Sequence, residues 1–245
     1  MYTSKIINYG YKKRVSVYAG EIETQKNTSS GIRKQYQSMT DKEKEISNQR
    51  RERYYKRVVH ELIEIAAMNE FKTMVTLTFK ENVTNYEVAL KEWNLFLRRL
   101  RRKVDSELKY ICVWEYQQQR GNVFHFHCLL NLKVEHAELE RLWGNGFVWI
   151  SAIKNKQDTL KEIKYMTKYL GKEIVSNQEN SRRRMRFFFT SNNLNKPTVQ
   201  KVQEKINLDN IIFENLEKII SDGSYYIKDQ NNNVINRCDY VEFKI

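Results

Sequence analysis

A single proline, Pro197, in 245 residues leaves nearly the whole chain free to form unbroken helices and ladders, and it marks one boundary late in the sequence. Cysteine is also scarce. Three of them, an odd number without metal-like spacing, exclude a disulfide framework. No apolar run approaches the ~18 residues that suggest a membrane span, and Met1-Tyr-Thr-Ser-Lys-Ile6 lacks a secretory signal pattern. The expectation is a cytoplasmic protein without membrane contact, in which cysteines stay reduced. Acidic residues are outnumbered: 30 Asp and Glu against 43 Lys and Arg give a net charge of +13 and a pI near 9.5. No Gly-rich phosphate loop is present, so nothing here points to a nucleotide-driven motor or kinase.

The basic excess is clustered, which is the pattern of a nucleic-acid partner. Arg50, Arg51, Arg53, Lys56 and Arg57 crowd one stretch, and Arg98, Arg99, Arg101, Arg102 and Lys103 a second. Arg182, Arg183, Arg184 and Arg186 make a third, which runs into Phe187-Phe188-Phe189. Arg98 to Arg102 and Arg182 to Arg186 are the candidate DNA-binding residues. Charge beside aromatic faces suits unpaired bases, although basic helix faces are often merely solvated and strand phenylalanines often belong to a core.

With four histidines in the chain, two of them one residue apart stand out. Tyr110 to Tyr116 and Asn122 to Asn131 are rich in β-branched and aromatic residues and predict a β-hairpin around Gln117-Gln-Gln-Arg-Gly121. Alternation in a strand points His125 and His127 to one face and Phe126 to the other. A three-residue loop, Gln119-Arg120-Gly121, sets Glu115 opposite His125 and Cys112 opposite Cys128. Two imidazoles and a carboxylate suit a divalent transition metal better than calcium. The same ligand set serves non-haem iron oxygenases, so it does not name a reaction.

Lys161 to Lys172 predicts a helix ending near Gly171, with Leu160, Ile163, Met166, Leu170 and Ile174 as its apolar stripe. Tyr165 and Tyr169 fall outside that stripe, on a flank shared with Lys168 and Lys172. Phenols ionise near pH 10, and an ammonium one turn away favours the nucleophilic phenolate.

The three segments together resemble the rolling-circle replication initiators of the His-hydrophobic-His endonuclease superfamily. Thr76-Leu-Thr-Phe79 resembles the first motif, His125-Phe-His127 the second and Tyr165-Met-Thr-Lys168-Tyr169-Leu-Gly-Lys172 the third, over roughly residues 48 to 196. The paired tyrosines are similar to those of phage initiators, and the general run of the chain to plasmid or integrative-element initiators. The resemblance implies Mg²⁺ or Mn²⁺ on His125, His127 and Glu115. It also implies nucleophiles at Tyr165 and Tyr169, assisted by Lys168 and Lys172. The reaction it implies is origin nicking and strand joining through a 5′-phosphotyrosine. Partners would be single-stranded or hairpin DNA at a replication origin, with host helicase and polymerase.

The order of elements predicts an α+β protein. A ferredoxin-like β-α-β-β-α-β-α antiparallel sheet is expected with helices on one face, preceded by an N-terminal helix and followed by a helix-hairpin extension. The expected division is an arm or linker with short strands over 1–40, the endonuclease domain over 41–196, and a C-terminal helix plus hairpin over 197–245. Within it, Thr84-Asn-Tyr-Glu87 reads as a capping box and Thr198 to Ile220 as one helix. A transposase or relaxase of the same chemistry is the nearest alternative. A non-catalytic module resembling RNA-recognition domains, stacking bases on Trp114, Phe124 and Phe126, is another.

Overall fold

The structure is a computed structural model and describes residues 1–23, 36–176, 186–229 and 233–245, without the side chains of residue 169 and residues 171–176. In chain order its elements are β1 (Tyr2–Asn8), β2 (Lys12–Ile22), α1 (Asp41–Met68), β3 (Thr73–Thr78), α2 (Tyr86–Lys103), β4 (Tyr110–Gln117) and β5 (Val123–Leu130). There follow α3 (His136–Trp143), β6 (Val148–Ala152), α4 (Lys156–Ser176), β7 (Phe188–Thr190), β8 (Thr198–Val202), α5 (Leu208–Glu214), β9 (Ile219–Lys228) and β10 (Val234–Lys244). The protein is thus α+β, with two antiparallel sheets. Contacts divide it into two units, Ile32–Asn195 and Met1–Gly31 with Lys196–Ile245. Among the described residues, no helix is long and apolar enough to cross a membrane.

In the larger unit the strands run in the order β6-β3-β5-β4-β7, antiparallel at every pairing. The central strand β5 is buried at all of its positions, so both faces of this sheet need a cover. On one face Trp93, Phe96 and Leu100 of α2 and Leu139 of α3 pack on Leu77, Trp114 and Phe126. On the other, Leu62 and Ile65 of α1 and Ile163, Met166 and Leu170 of α4 pack on Met74, Ile111, Val113 and Leu129. Helices therefore lie on both faces, not one. Residues of both parities along β4 and β5 are apolar, and burying them only on the α2 side would leave Val113 and Leu129 in water.

Local signals set the ends of these helices. Thr40 caps α1 through a reciprocal pair: Glu43 N donates to Thr40 Oγ1 at 3.3 Å and Thr40 N donates to Glu43 Oε2 at 2.9 Å. In α2 the cap is Asn85 rather than Thr84, because Asn85 Oδ1 accepts from both Glu87 N and Val88 N, at 2.9 and 3.2 Å. The tyrosine helix does not stop near Gly171 but continues to Ser176. A glycine weakens a helix interior by only about 1 kcal/mol, less than the packing of Ile163, Met166 and Leu170 supplies.

Gly146 fixes the junction between α3 and β6. Its φ is +153°, and a Cβ there would sit on Thr78 O and Lys80 N at the end of β3. That approach allows Lys80 N to donate to Asn145 O at 2.8 Å and Thr78 N to Phe147 O at 2.9 Å, extending the β3–β6 ladder. Gly146→Ala is expected to destabilise the protein by at least about 1–3 kcal/mol, read as a lower denaturant midpoint. A midpoint equal to wild type would show that the junction can shift to make room.

The smaller unit is a sheet of order β8-β1-β2-β10-β9. Val15, Val241 and Phe243 form its core, with Ile206, Leu208, Ile211, Ile212 and Ile219 packed against them. Thr198 to Ile220 is therefore not one helix. Alternating Thr198-Val-Gln-Lys-Val202 pairs with β1 as a strand, and the apolar period beyond it sustains only the short helix α5.

Candidate metal centre and tyrosine

The hairpin register brings the cluster together. Glu115 lies directly across from His125, and Gly121 at φ +70° supplies the left-handed turn that the register needs. On the other side of β5, Thr78 pairs with His125 and Thr76 with His127. Directly paired residues share a sheet face. Both threonines, both histidines and Glu115 consequently project toward the α4 side, whereas Phe124 and Phe126 project toward the other.

Each threonine holds one histidine. Thr76 Oγ1 lies 3.2 Å from His127 Nδ1, and Thr78 Oγ1 lies 3.1 Å from His125 Nε2. A hydroxyl can accept the ring N–H at that position, which leaves the second nitrogen with its lone pair directed into the cluster. His127 Nε2 is 3.1 Å from Glu115 Oε1, and His125 Nδ1 is 3.8 Å from the same oxygen. One ligand atom from each of Glu115, His125 and His127 lies within 4.8 Å of the other two.

His125 Nδ1 is buried and has no hydrogen-bond partner. An orphaned buried polar atom is costly and uncommon in folded proteins. Burial pushes the His125 imidazole down to about 3, and the neighbouring His127 and the Arg120 guanidinium push it the same way. At neutral pH the ring is therefore uncharged, and its approach to Glu115 is that of two ligand atoms rather than an ion pair.

Tyr165 is 43% exposed and its ring stands edge-on to His127, centroids 5.9 Å apart at 84°. The stripe of Ile163, Met166 and Leu170 docks α4 on the sheet, and Tyr165 emerges beside it over the histidines. Lys168 is exposed one turn further on. The side chains of Tyr169 and Lys172 lie outside the described residues.

Arg120 was not singled out as a site residue by the sequence. Its guanidinium donates to Phe79 O at 3.0 Å and Lys80 O at 3.2 Å, fastening the hairpin loop to the end of β3 next to His125. The signal for it was its position in the loop that sets the register. Cys112 and Cys128 face each other as expected, Sγ to Sγ 3.2 Å, on the α2 side. Burial pushes the Cys112 thiol well above its usual range, so it stays protonated and unreactive.

Other expected residues lie elsewhere. Arg98, Arg101 and Arg102 are exposed on α2, which covers the face opposite the cluster. Arg99 donates to Leu142 O and Trp143 O at 3.1 and 3.3 Å, tying α2 to the end of α3. Arg182, Arg183 and Arg184 lie outside the described residues, while Arg186 is exposed and its carbonyl accepts from Trp114 Nε1 at 2.6 Å. Phe187 stacks on Trp114 and Phe189 on Trp93, so these rings are engaged with the core. Trp114, Phe124 and Phe126 are fully buried and offer no face to a base, which removes the surface on which the RNA-recognition-like alternative relied.

Residues 72–174 match a family model of replication-associated proteins, the ORF2 type. That span runs from the start of β3 into α4 and holds Thr76, Thr78, Glu115, His125, His127 and Tyr165. The match supports a role in replication initiation and, with it, an interaction with nucleic acid. Among solved structures, the hypothetical protein ORF119 from Sulfolobus islandicus rod-shaped virus 1 is similar at 17% identity over 45% of this chain and 92% of that chain, with a TM-score of 0.35. No curated protein matches the sequence.

Proposed function

We propose that the protein is an origin-nicking and strand-joining DNA endonuclease that initiates rolling-circle replication through a phosphotyrosine intermediate. The observation that carries this reading is Tyr165 standing over a compact Glu115, His125 and His127 group, ring to ring with His127 at 5.9 Å. Neither half accounts for the other unless a metal-held phosphate lies between them.

The residues fit a divalent cation such as Mg²⁺ or Mn²⁺. Two neutral imidazoles, each held by a threonine, and one carboxylate converge, and His125 Nδ1 is left unpartnered while buried. Bound there, the metal supplies Lewis-acid stabilisation of charge on the non-bridging oxygens of the scissile phosphate. His125, His127 and Glu115 hold it, and Thr76 and Thr78 keep the ring orientations. Tyr165 supplies the attacking oxygen: its phenolic O–P bond forms, the P–O3′ bond breaks, and the phenol proton ends on the departing 3′ oxygen. The products are a 5′-phosphotyrosyl protein and a free 3′-hydroxyl that primes synthesis. The aryl phosphodiester keeps much of the energy of the cleaved bond, so religation proceeds without ATP. Tyr169, one turn on along α4, would accept the strand in a second transfer, and Lys168 and Lys172 would stabilise phenolate or phosphate charge.

Incubation of the protein with labelled single-stranded DNA carrying the origin of its own replicon, with Mn²⁺ or with EDTA, tests this reading. A denaturing gel should show a protein-DNA adduct only with metal. Cleavage in EDTA, or cleavage with no adduct, would overturn it.

A further inference from the structure

Three of the four tryptophans, Trp93, Trp114 and Trp143, are at most 1% exposed, whereas Trp149 is 57% exposed. Phe147, two residues before it, is 64% exposed. Both belong to the segment that runs into β6, an edge strand of its sheet. Trp149 pairs with Thr76, which pairs with His127. Thr78 N donates to Phe147 O at 2.9 Å, which carries the same ladder one step past the strand, and Thr78 pairs with His125. Val148 and Ile150 point the other way, into the core under α2 and α3. Alternation thus sets Phe147 and Trp149 on the metal-cluster face, each two strands, or about 10 Å, from a histidine.

Exposing a tryptophan and a phenylalanine side by side on one face is costly in water unless they serve a partner. The partner must suit flat apolar rings, tolerate a cationic surround and reach the cluster. Lys80 is exposed at the end of β3, and Arg120 sits beside it, on a chain of net charge +13. An unpaired nucleic-acid strand meets all three conditions: its bases stack on aromatic faces and its phosphates seek cations.

We propose that Phe147 and Trp149 form a stacking platform for the unpaired bases flanking the scissile phosphate, so that binding a base on β6 sets the phosphate over the histidines. This rests on the nuclease reading for its occupant, DNA. The edge position leaves the platform open to a strand crossing from β6 over β3 to β5.

Equilibrium binding separates the platform from the chemistry, since it needs neither metal nor cleavage. The probe is a fluorescent oligothymidylate in EDTA, followed by anisotropy. Trp149→Ala and Phe147→Ala are surface changes that should leave the denaturant midpoint near wild type. Trp149→Ala should weaken binding about 10- to 100-fold, with Trp149→Tyr retaining most of the affinity and Trp149→Leu behaving like alanine. The salt slope should stay unchanged, because no phosphate contact is removed. On an oligonucleotide made wholly of abasic sites, wild type and Trp149→Ala should bind alike.

Wild-type affinity in Trp149→Ala, or an equal loss on abasic DNA, would overturn the platform even if adducts still form with metal. A variant that binds DNA normally but changes its sedimentation would instead assign these rings to contact between copies of the chain. Loss of binding in Trp149→Ala alongside a wild type that never forms an adduct would keep the platform and reject the nuclease.

Discussion

His127→Ala is expected to lower the rate of single-turnover cleavage by at least about 10³-fold, the effect of losing roughly 4 kcal/mol of transition-state stabilisation. His125→Ala and Glu115→Ala should be comparably severe, because each removes one of three ligand atoms that lie within 4.8 Å of one another. Binding to single-stranded DNA in the same variants should stay within about threefold of wild type, since affinity comes mainly from phosphate contacts made elsewhere. Calorimetric titration with Mn²⁺ gives an independent reading, in which the heat of binding should vanish together with cleavage. Undiminished cleavage in either histidine variant would remove the metal assignment. A mild effect of Glu115→Ala beside severe histidine effects would move the third ligand to another residue and leave the histidine pair in place.

Tyr165→Phe should abolish the covalent adduct, again by more than about 10³-fold, while keeping the fold and the DNA affinity. The substitution removes one oxygen from a side chain that is already 43% exposed, so its structural cost is small. Tyr169→Phe is expected to nick but to fail in passing the strand onward, and the double variant should be inert. The order of the two tyrosines rests on the contact of Tyr165 with His127. A difference between Lys168 and Lys172 cannot set it, because α4 runs on to Ser176 and carries both lysines within the helix. Mass spectrometry of the trapped adduct decides the order. A phosphotyrosine only at Tyr169 would reverse it, and an adduct formed by the double variant would remove both residues from the chemistry.

What the sequence determined by itself was local. Alternation in a strand and the left-handed need of Gly121 are properties of neighbouring residues, so the hairpin, its register, the pairing of Glu115 with His125 and the facing of Cys112 by Cys128 were all legible. The apolar stripe of α4 was legible for the same reason, and three of its members, Ile163, Met166 and Leu170, are fully buried. The tertiary structure alone decided which face each helix covers. Amphipathic stripes on α2 and α4 look alike in a sequence, and only the demand of a strand buried on both sides sends one helix to each face. That choice puts Tyr165 over the histidines and removes the α2 arginines from them. It also decided the fate of the aromatic residues. Trp114, Phe124 and Phe126 are consumed by the core, while Trp149 and Phe147, set in an equally ordinary strand pattern, remain on the open face because β6 lies at the margin of its sheet. The misread helix after Pro197 has the same cause: Thr198 to Val202 becomes a strand by pairing with β1, nearly two hundred residues earlier in the chain, and no local pattern records a partner so distant.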